Sequence, residues 1–216
     1  MLVRVELKAW LDDHESIMAQ LSLLESRASA REKTDTYWLP IEENAPGMSI
    51  PRSGVRVRRE REAQSAGGDK PGEAGSEGAK GESFLVAVKS RKMSGAAEIS
   101  EVSEFAVSDA ELFEKLLGNL GLFKASYKKK YCWGWKIPAE APGAEPIGAE
   151  IAHLKELGWF LELKLCARDG GRQAAEEAVK RLHSLLERLG VPAERLEPKP
   201  YAVLLHERWQ KEVRAR

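Results

Sequence analysis

The sequence predicts an α+β fold with mostly antiparallel strands whose charged faces turn towards one another, and three observations carry that expectation. Short runs alternate apolar and charged residues with period two, helical patterns fall between them, and no apolar run reaches the length of a membrane span. The 216 residues suffice for one good core, so a single domain over residues 1–216 is expected. Lys+Arg and Asp+Glu both total 34, so there is no net field to draw in nucleic acid or an anionic membrane. Any anion selectivity must come from local placement of charge.

The elements follow in chain order. In Leu2–Lys8, Val3, Val5 and Leu7 alternate with Arg4, Glu6 and Lys8, charges that also exclude a signal peptide. From Asp13 to about Ala30, Ile17, Met18, Leu21 and Leu24 recur at helical spacing. Val55 and Val57 interleave with Arg56 and Arg58, and Phe84–Lys89 reads as the next strand. Between them, residues 61–83 are almost all Gly, Glu, Ala, Ser and Lys. Such a stretch buries too little apolar surface to offset its ordering entropy, so a disordered insert is expected there. Ser108 with Glu111 forms a capping-box pattern ahead of Leu112, Leu116 and Leu117, and Gly121 suits the stop. Lys128 and Lys130 lie between Tyr127, Lys129 and Tyr131, a loop follows at Pro138–Pro146, and Glu162 and Lys164 lie between Leu161, Leu163 and Leu165. A helix from about Arg172 to Leu189 ends at Gly190 and Pro192, and the last runs from Ala202 to about Val213. These helices can cover the apolar strand faces, leaving the charged faces for the opposite side.

If the sheet curls with those faces inward, its lumen holds Arg4, Lys8, Arg56, Arg58, Lys89, Arg91, Lys128, Lys130 and Lys164 beside Glu6, Glu104 and Glu162. So many like charges are costly unless anions neutralise them. A triphosphate is such an anion: arginine gives it fork-shaped contacts and lysine point charges. The carboxylates suit a hard cation, Mg²⁺ or Mn²⁺, held against phosphate oxygens.

At this point the motifs resemble those of the CYTH, or triphosphate tunnel, family, which includes class IV adenylyl cyclases, thiamine triphosphatases and inorganic triphosphatases. Arg4-Val-Glu6-Leu-Lys8 is similar to its opening Glu-x-Glu-x-Lys strand, and Asp35-Thr-Tyr37 to its Asp-x-Tyr segment. Val55-Arg56-Val-Arg58 resembles Leu-Arg-Ile-Arg, Val86-Ala-Val-Lys89 resembles Thr-x-Lys, and Glu104-Phe-Ala-Val-Ser-Asp109 resembles Glu-x-x-Val-x-Asp. Lys128 and Lys130 fit the following basic strand. Leu157-Gly-Trp-Phe160-Leu-Glu162-Leu-Lys164 is similar to Leu-Gly-x-Phe-x-Glu-x-Glu, and Lys199-Pro-Tyr201-Ala-Val-Leu-Leu205 to the terminal Ser-Tyr-x-x-Leu-Leu. The order of these matches over residues 2–205 carries the resemblance.

The resemblance implies an eight-stranded antiparallel β-tunnel flanked by helices that binds a triphosphate compound: a nucleotide, thiamine triphosphate or inorganic triphosphate. Phosphate would fall to Arg4, Lys8, Arg56, Arg58, Lys89, Lys128, Lys130 and Lys164, catalysis to Glu6, Lys8 and Glu162. Mg²⁺ or Mn²⁺ would fall to Glu6 and Glu162, with Glu150 or Glu104. Three departures matter: Arg4 and Lys164 stand where the family has glutamates, and its Asp before Leu-Gly falls near Ala152, with Glu150 two positions earlier. Two readings follow, metal-assisted cyclase or triphosphatase chemistry, or a non-catalytic polyphosphate or nucleotide module in which Arg4 and Lys164 replace metal charge. A rival class is an interaction protein whose charged strand faces are merely solvated.

Other features have plainer readings. Cys132 and Cys166 are expected as free thiols, and the four histidines show no metal-ligand spacing. Trp133 and Trp135 invite base stacking at a tunnel mouth, although packing is the commoner role of strand aromatics. A cytoplasmic monomer or homodimer, without nucleic-acid or membrane partners, is expected.

Overall fold

The computed structural model describes residues 3–25, 30–40, 54–63, 81–139, 141, 143–167 and 171–214. Its strands are β1 (Val3–Leu11), β2 (Arg31–Pro40), β3 (Val55–Glu62), β4 (Ser83–Ser94), β5 (Ala97–Val107), β6 (Leu122–Ile137), β7 (Ile147–Leu154) and β8 (Gly158–Ala167). Its helices are α1 (His14–Leu24), α2 (Ala110–Asn119), α3 (Arg172–Arg188) and α4 (Tyr201–Arg214). The hydrogen-bonded order β1-β5-β4-β3-β2-β6-β7-β8 closes on itself as a barrel. This is the α+β tunnel fold that the alternating strands and interspersed helices predict.

The chain divides into two compact units. The first comprises Met1–Ala30, Arg91–Val102 and Tyr131–Pro198. Here β1 lies antiparallel between β5 and β8, with Val3 opposite Ala167 and Lys8 opposite Glu162. Period-two geometry puts Val5, Leu7, Ala9, Leu161, Leu163, Ala149 and Ile151 on one face. That face packs against Ile17 and Leu21 of α1 and Ala178, Leu182, Leu185 and Leu186 of α3. Each fully buried leucine contributes about 1.5–3 kcal/mol by leaving water.

Helix α1 starts where Asp13 accepts the Ser16 amide at 3.0 Å, and it stops at Leu24, short of the expected Ala30. Helix α3 ends before Gly190, whose φ of +68° is left-handed and favours glycine. Trp133 and Trp135 lie on the helix-covered side, which corrects the base-stacking alternative. Trp135 is buried in the core and its Nε1 donates to Ser22 Oγ at 3.3 Å, while Trp133 stacks on Trp159.

The second unit comprises Arg31–Ser90, Ser103–Lys130 and Lys199–Arg216. Strand β3 pairs with β2 and β4, setting Asp35 opposite Arg58, Tyr37 opposite Arg56 and Val57 opposite Val86. A smaller core gathers Trp38, Val57 and Val86 with Leu117 of α2, with Phe113 packed against it. The cap of α2 is Asp109, accepting the Leu112 amide at 2.9 Å, and not Ser108, because β5 ends at Val107 and the turn puts Asp109 at the helix entrance. The two ends of the expected insert are strand instead. Arg61 and Glu62 extend β3, where Arg61 pairs with Glu32 at 2.7 Å, and Ser83 opens β4. Residues 64–80 of that expectation lie outside the described residues.

Candidate functional site

Each unit carries a charged sheet face opposite its helix-covered one. In the second unit, β2 places Lys33, Asp35 and Tyr37 on the same side as Arg56, Arg58 and Glu60 of β3. Asp35 is fully buried and is the hub of this face. Arg58 donates to it through Nε at 2.6 Å and Nη2 at 2.9 Å, Lys128 Nζ stands 2.7 Å away, and the Tyr37 hydroxyl donates at 3.4 Å. Burial alone would raise the Asp35 pKa, but Lys128 and Arg58 outweigh it and hold the carboxyl well below the usual carboxylate range. Burial likewise works against the Arg58 charge, and Asp35 more than offsets it.

Around this hub Glu60 takes Arg31 at 3.3 Å, Arg58 at 3.5 Å and Lys33 at 3.9 Å. Lys128 lies 5.1 Å from the centre of the Tyr201 ring and Lys130 5.8 Å from it, cation–π distances at the start of α4. Lys128 and Lys130 are 6% and 2% exposed, so this face is not a solvated one. Arg56 Nη2 donates to Glu104 at 2.9 Å, whereas its Nε is buried and meets no acceptor among the described residues. Strand alternation puts Lys89 on the same side as Ala87, which stands opposite Arg56.

In the first unit the charged face joins Arg4, Glu6 and Lys8 of β1 to Glu150 of β7 and to Glu162 and Lys164 of β8. Glu6 stands opposite Lys164, Lys8 opposite Glu162, and Glu150 opposite Glu162. The Lys164 ammonium lies 2.5 Å from Glu162 and 3.7 Å from Glu150. Farther along, Trp10 and Phe160 meet with ring centres 4.1 Å apart, and Trp10 Nε1 donates to Glu197 at 3.2 Å.

The predicted residues therefore fall into two sets. Arg4, Glu6, Lys8, Glu150, Glu162 and Lys164 share the first unit's face, and Arg56, Arg58, Lys89, Glu104, Lys128 and Lys130 belong to the second unit. Of the expected metal ligands, Glu104 serves Arg56, while Glu150 and Glu162 surround an ammonium. As they stand, these groups do not fit a divalent cation. The expected set omitted Asp35, Glu60, Lys33 and Arg31. Their signal was present in Lys33, Asp35 and Tyr37 alternating with Thr34, Thr36 and Trp38. Cys132 and Cys166 are free thiols.

No family model matches the chain, and no curated protein does. Solved structures do. A protein from Pyrococcus horikoshii is 18% identical, with a TM-score of 0.71 over 94% of this chain and 98% of its own. A provisionally assigned adenylate cyclase from Vibrio parahaemolyticus is 15% identical, with a TM-score of 0.68 over 94% and 97%. A provisionally assigned adenylyl cyclase from Hippeastrum with a dominant triphosphatase activity is 11% identical, with a TM-score of 0.58 over 96% of each chain. Together these likenesses define the fold: a closed antiparallel β-barrel of eight strands flanked by helices. Among the described residues no helix is long and apolar enough to cross a membrane.

Proposed function

We propose that this chain binds a triphosphate compound, whether nucleotide, thiamine triphosphate or inorganic triphosphate, on its charged sheet faces. The observation that carries the reading is the buried Arg56 Nε without an acceptor, on a face that also buries Lys128 and Lys130. A buried donor left unmade costs about 1–3 kcal/mol, and a phosphate oxygen would satisfy it. Arg4, Lys8, Arg58, Lys89 and Lys164 add charge. The fold shared with the Vibrio and Hippeastrum proteins supports phosphoryl chemistry, with Glu6, Lys8 and Glu162 in the catalytic roles of a class IV adenylyl cyclase or triphosphatase. The Lys164 ion pairs favour a second reading, a module that holds the compound without turning it over.

Calorimetric titration with tripolyphosphate and ATP, followed by assays for phosphate and cyclic AMP, tests both readings. Saturable binding that weakens in Arg56→Ala is the expected result. Release of phosphate or cyclic AMP selects the enzyme, and binding without product selects the module. No binding of either compound overturns the proposal.

A further inference from the structure

We infer that Lys164 does the work of a divalent cation in the first unit, so that the triphosphate compound is held there without Mg²⁺ or Mn²⁺. The inference rests on the triphosphate reading and goes beyond it by removing the metal from the binding event.

The argument starts from strand geometry. Residues two apart on a strand share a face, so Lys164 lies beside Glu162 on β8. Across β7–β8 the register sets Glu150 opposite Glu162, and across β1–β8 it sets Glu6 opposite Lys164. A cation at position 164 is thus flanked by carboxylates from three strands. Opposite Lys164 on β7 stands Gly148, and a Cβ built there would come within 3.9 Å of the Lys164 Cβ. That is ordinary van der Waals spacing, so the glycine is not what makes room here, and it is the register that brings Lys164 and Glu150 onto one face.

The distances complete the case. An ammonium 2.5 Å from Glu162 and 3.7 Å from Glu150 stands among the oxygens that a hard cation would need at about 2.0–2.1 Å. Glu162 is 2% exposed, so its charge requires a nearby cation, and Lys164 supplies one covalently. An ammonium also has several donors, so it can serve carboxylate and phosphate oxygens together, as a bound metal does. Two positive ions in this space would repel one another, and the lysine cannot dissociate.

The test compares the full-length protein with Lys164→Glu and Lys164→Gln. Tripolyphosphate is titrated calorimetrically in chelator and in Mg²⁺, and Mn²⁺ alone is titrated by electron paramagnetic resonance. The wild type is expected to bind tripolyphosphate in chelator within about threefold of its affinity in Mg²⁺ and to bind Mn²⁺ more weakly than either variant. Lys164→Glu is expected to lose at least about tenfold in chelator and to recover when Mn²⁺ is added. Should the glutamate variant not fold, Lys164→Gln removes the same ammonium with little change in size, and its gain in Mn²⁺ affinity is the readout.

Wild-type binding of tripolyphosphate only with metal present overturns the inference and leaves the proposed function standing. Absence of tripolyphosphate binding under every condition overturns the proposed function. In that case Mn²⁺ binding still decides the lysine's role, since equal Mn²⁺ affinity in wild type and variants overturns it.

Discussion

Replacing Asp35 by asparagine removes the charge at the hub of the second unit's basic face while nearly conserving its shape. The wild-type carboxylate, itself without solvent exposure, takes two bonds from Arg58, at 2.6 and 2.9 Å, and an ammonium contact from Lys128 at 2.7 Å. Removing one partner of a buried ion pair typically costs about 3–5 kcal/mol, because the remaining charges stay buried without compensation. For a chain of this size each kcal/mol lowers Tm by about 2–4 °C, so a fall of roughly 6–20 °C is expected. Urea unfolding followed by circular dichroism measures the change, with an unaltered slope showing that the same surface is exposed.

The pH dependence gives a second readout of the same variant. The folded-state pKa of Asp35 lies well below its ordinary value, so its stabilisation is present above the unfolded pKa near 4. It is lost as pH falls through the lower folded value, and the gap between wild type and Asp35→Asn should narrow only in that acid range. A loss under 1 kcal/mol at neutral pH would refute the reasoning, since the ion triad would then contribute little beyond its own desolvation.

Other expectations follow from single contacts. Arg56→Lys should weaken tripolyphosphate binding by about tenfold in calorimetry, because an ammonium cannot reproduce the guanidinium fork. Leu182→Ala, at a side chain with no exposure between α3 and the sheet, should cost about 2–5 kcal/mol in chemical denaturation. Excising residues 64–80 should leave the thermal midpoint nearly unchanged, and failure of the shortened chain to fold would show that the glycine-rich stretch is needed. The His153 pKa is lowered by burial and by His14, with Glu156 acting the other way. Stability should therefore fall as pH drops below about 6.5, where the unfolded chain takes up the proton first. His153→Gln should flatten that slope in urea titrations at successive pH values.

The strands were legible because their alternation is chemically sharp. Val3, Val5 and Leu7 against Arg4, Glu6 and Lys8 assign both faces of β1, and the register with β8 follows that assignment. The ends of elements were less legible, since capping depends on the local turn: Asp109 and Ser108 both have cap-forming side chains, and geometry selects Asp109. The charge pattern named many cations but not how they are shared. Arg58 and Lys128 read alike in sequence as phosphate ligands, yet both lean on Asp35, and that depends on β2–β3 register and on the long-range approach of β6. The pairing of Lys164 with Glu162 and Glu150 could be anticipated only in part. Spacing puts Lys164 beside Glu162, but Glu150 arrives from another strand.

The placement of β1 sets a timetable for synthesis. Val3 leaves the ribosome well before its partners, Glu101 on one side and Ala167 on the other. At about 5–20 residues per second, roughly ten to thirty seconds separate the appearance of β1 from that of β8. Throughout that interval the Val5–Leu7–Ala9 face has no helix α3 to cover it, and the strand presents unpaired amides to any neighbouring chain. The charges at Arg4, Glu6 and Lys8, one at every second position, suit that interval, because charged side chains disfavour pairing of a waiting strand with the wrong partner.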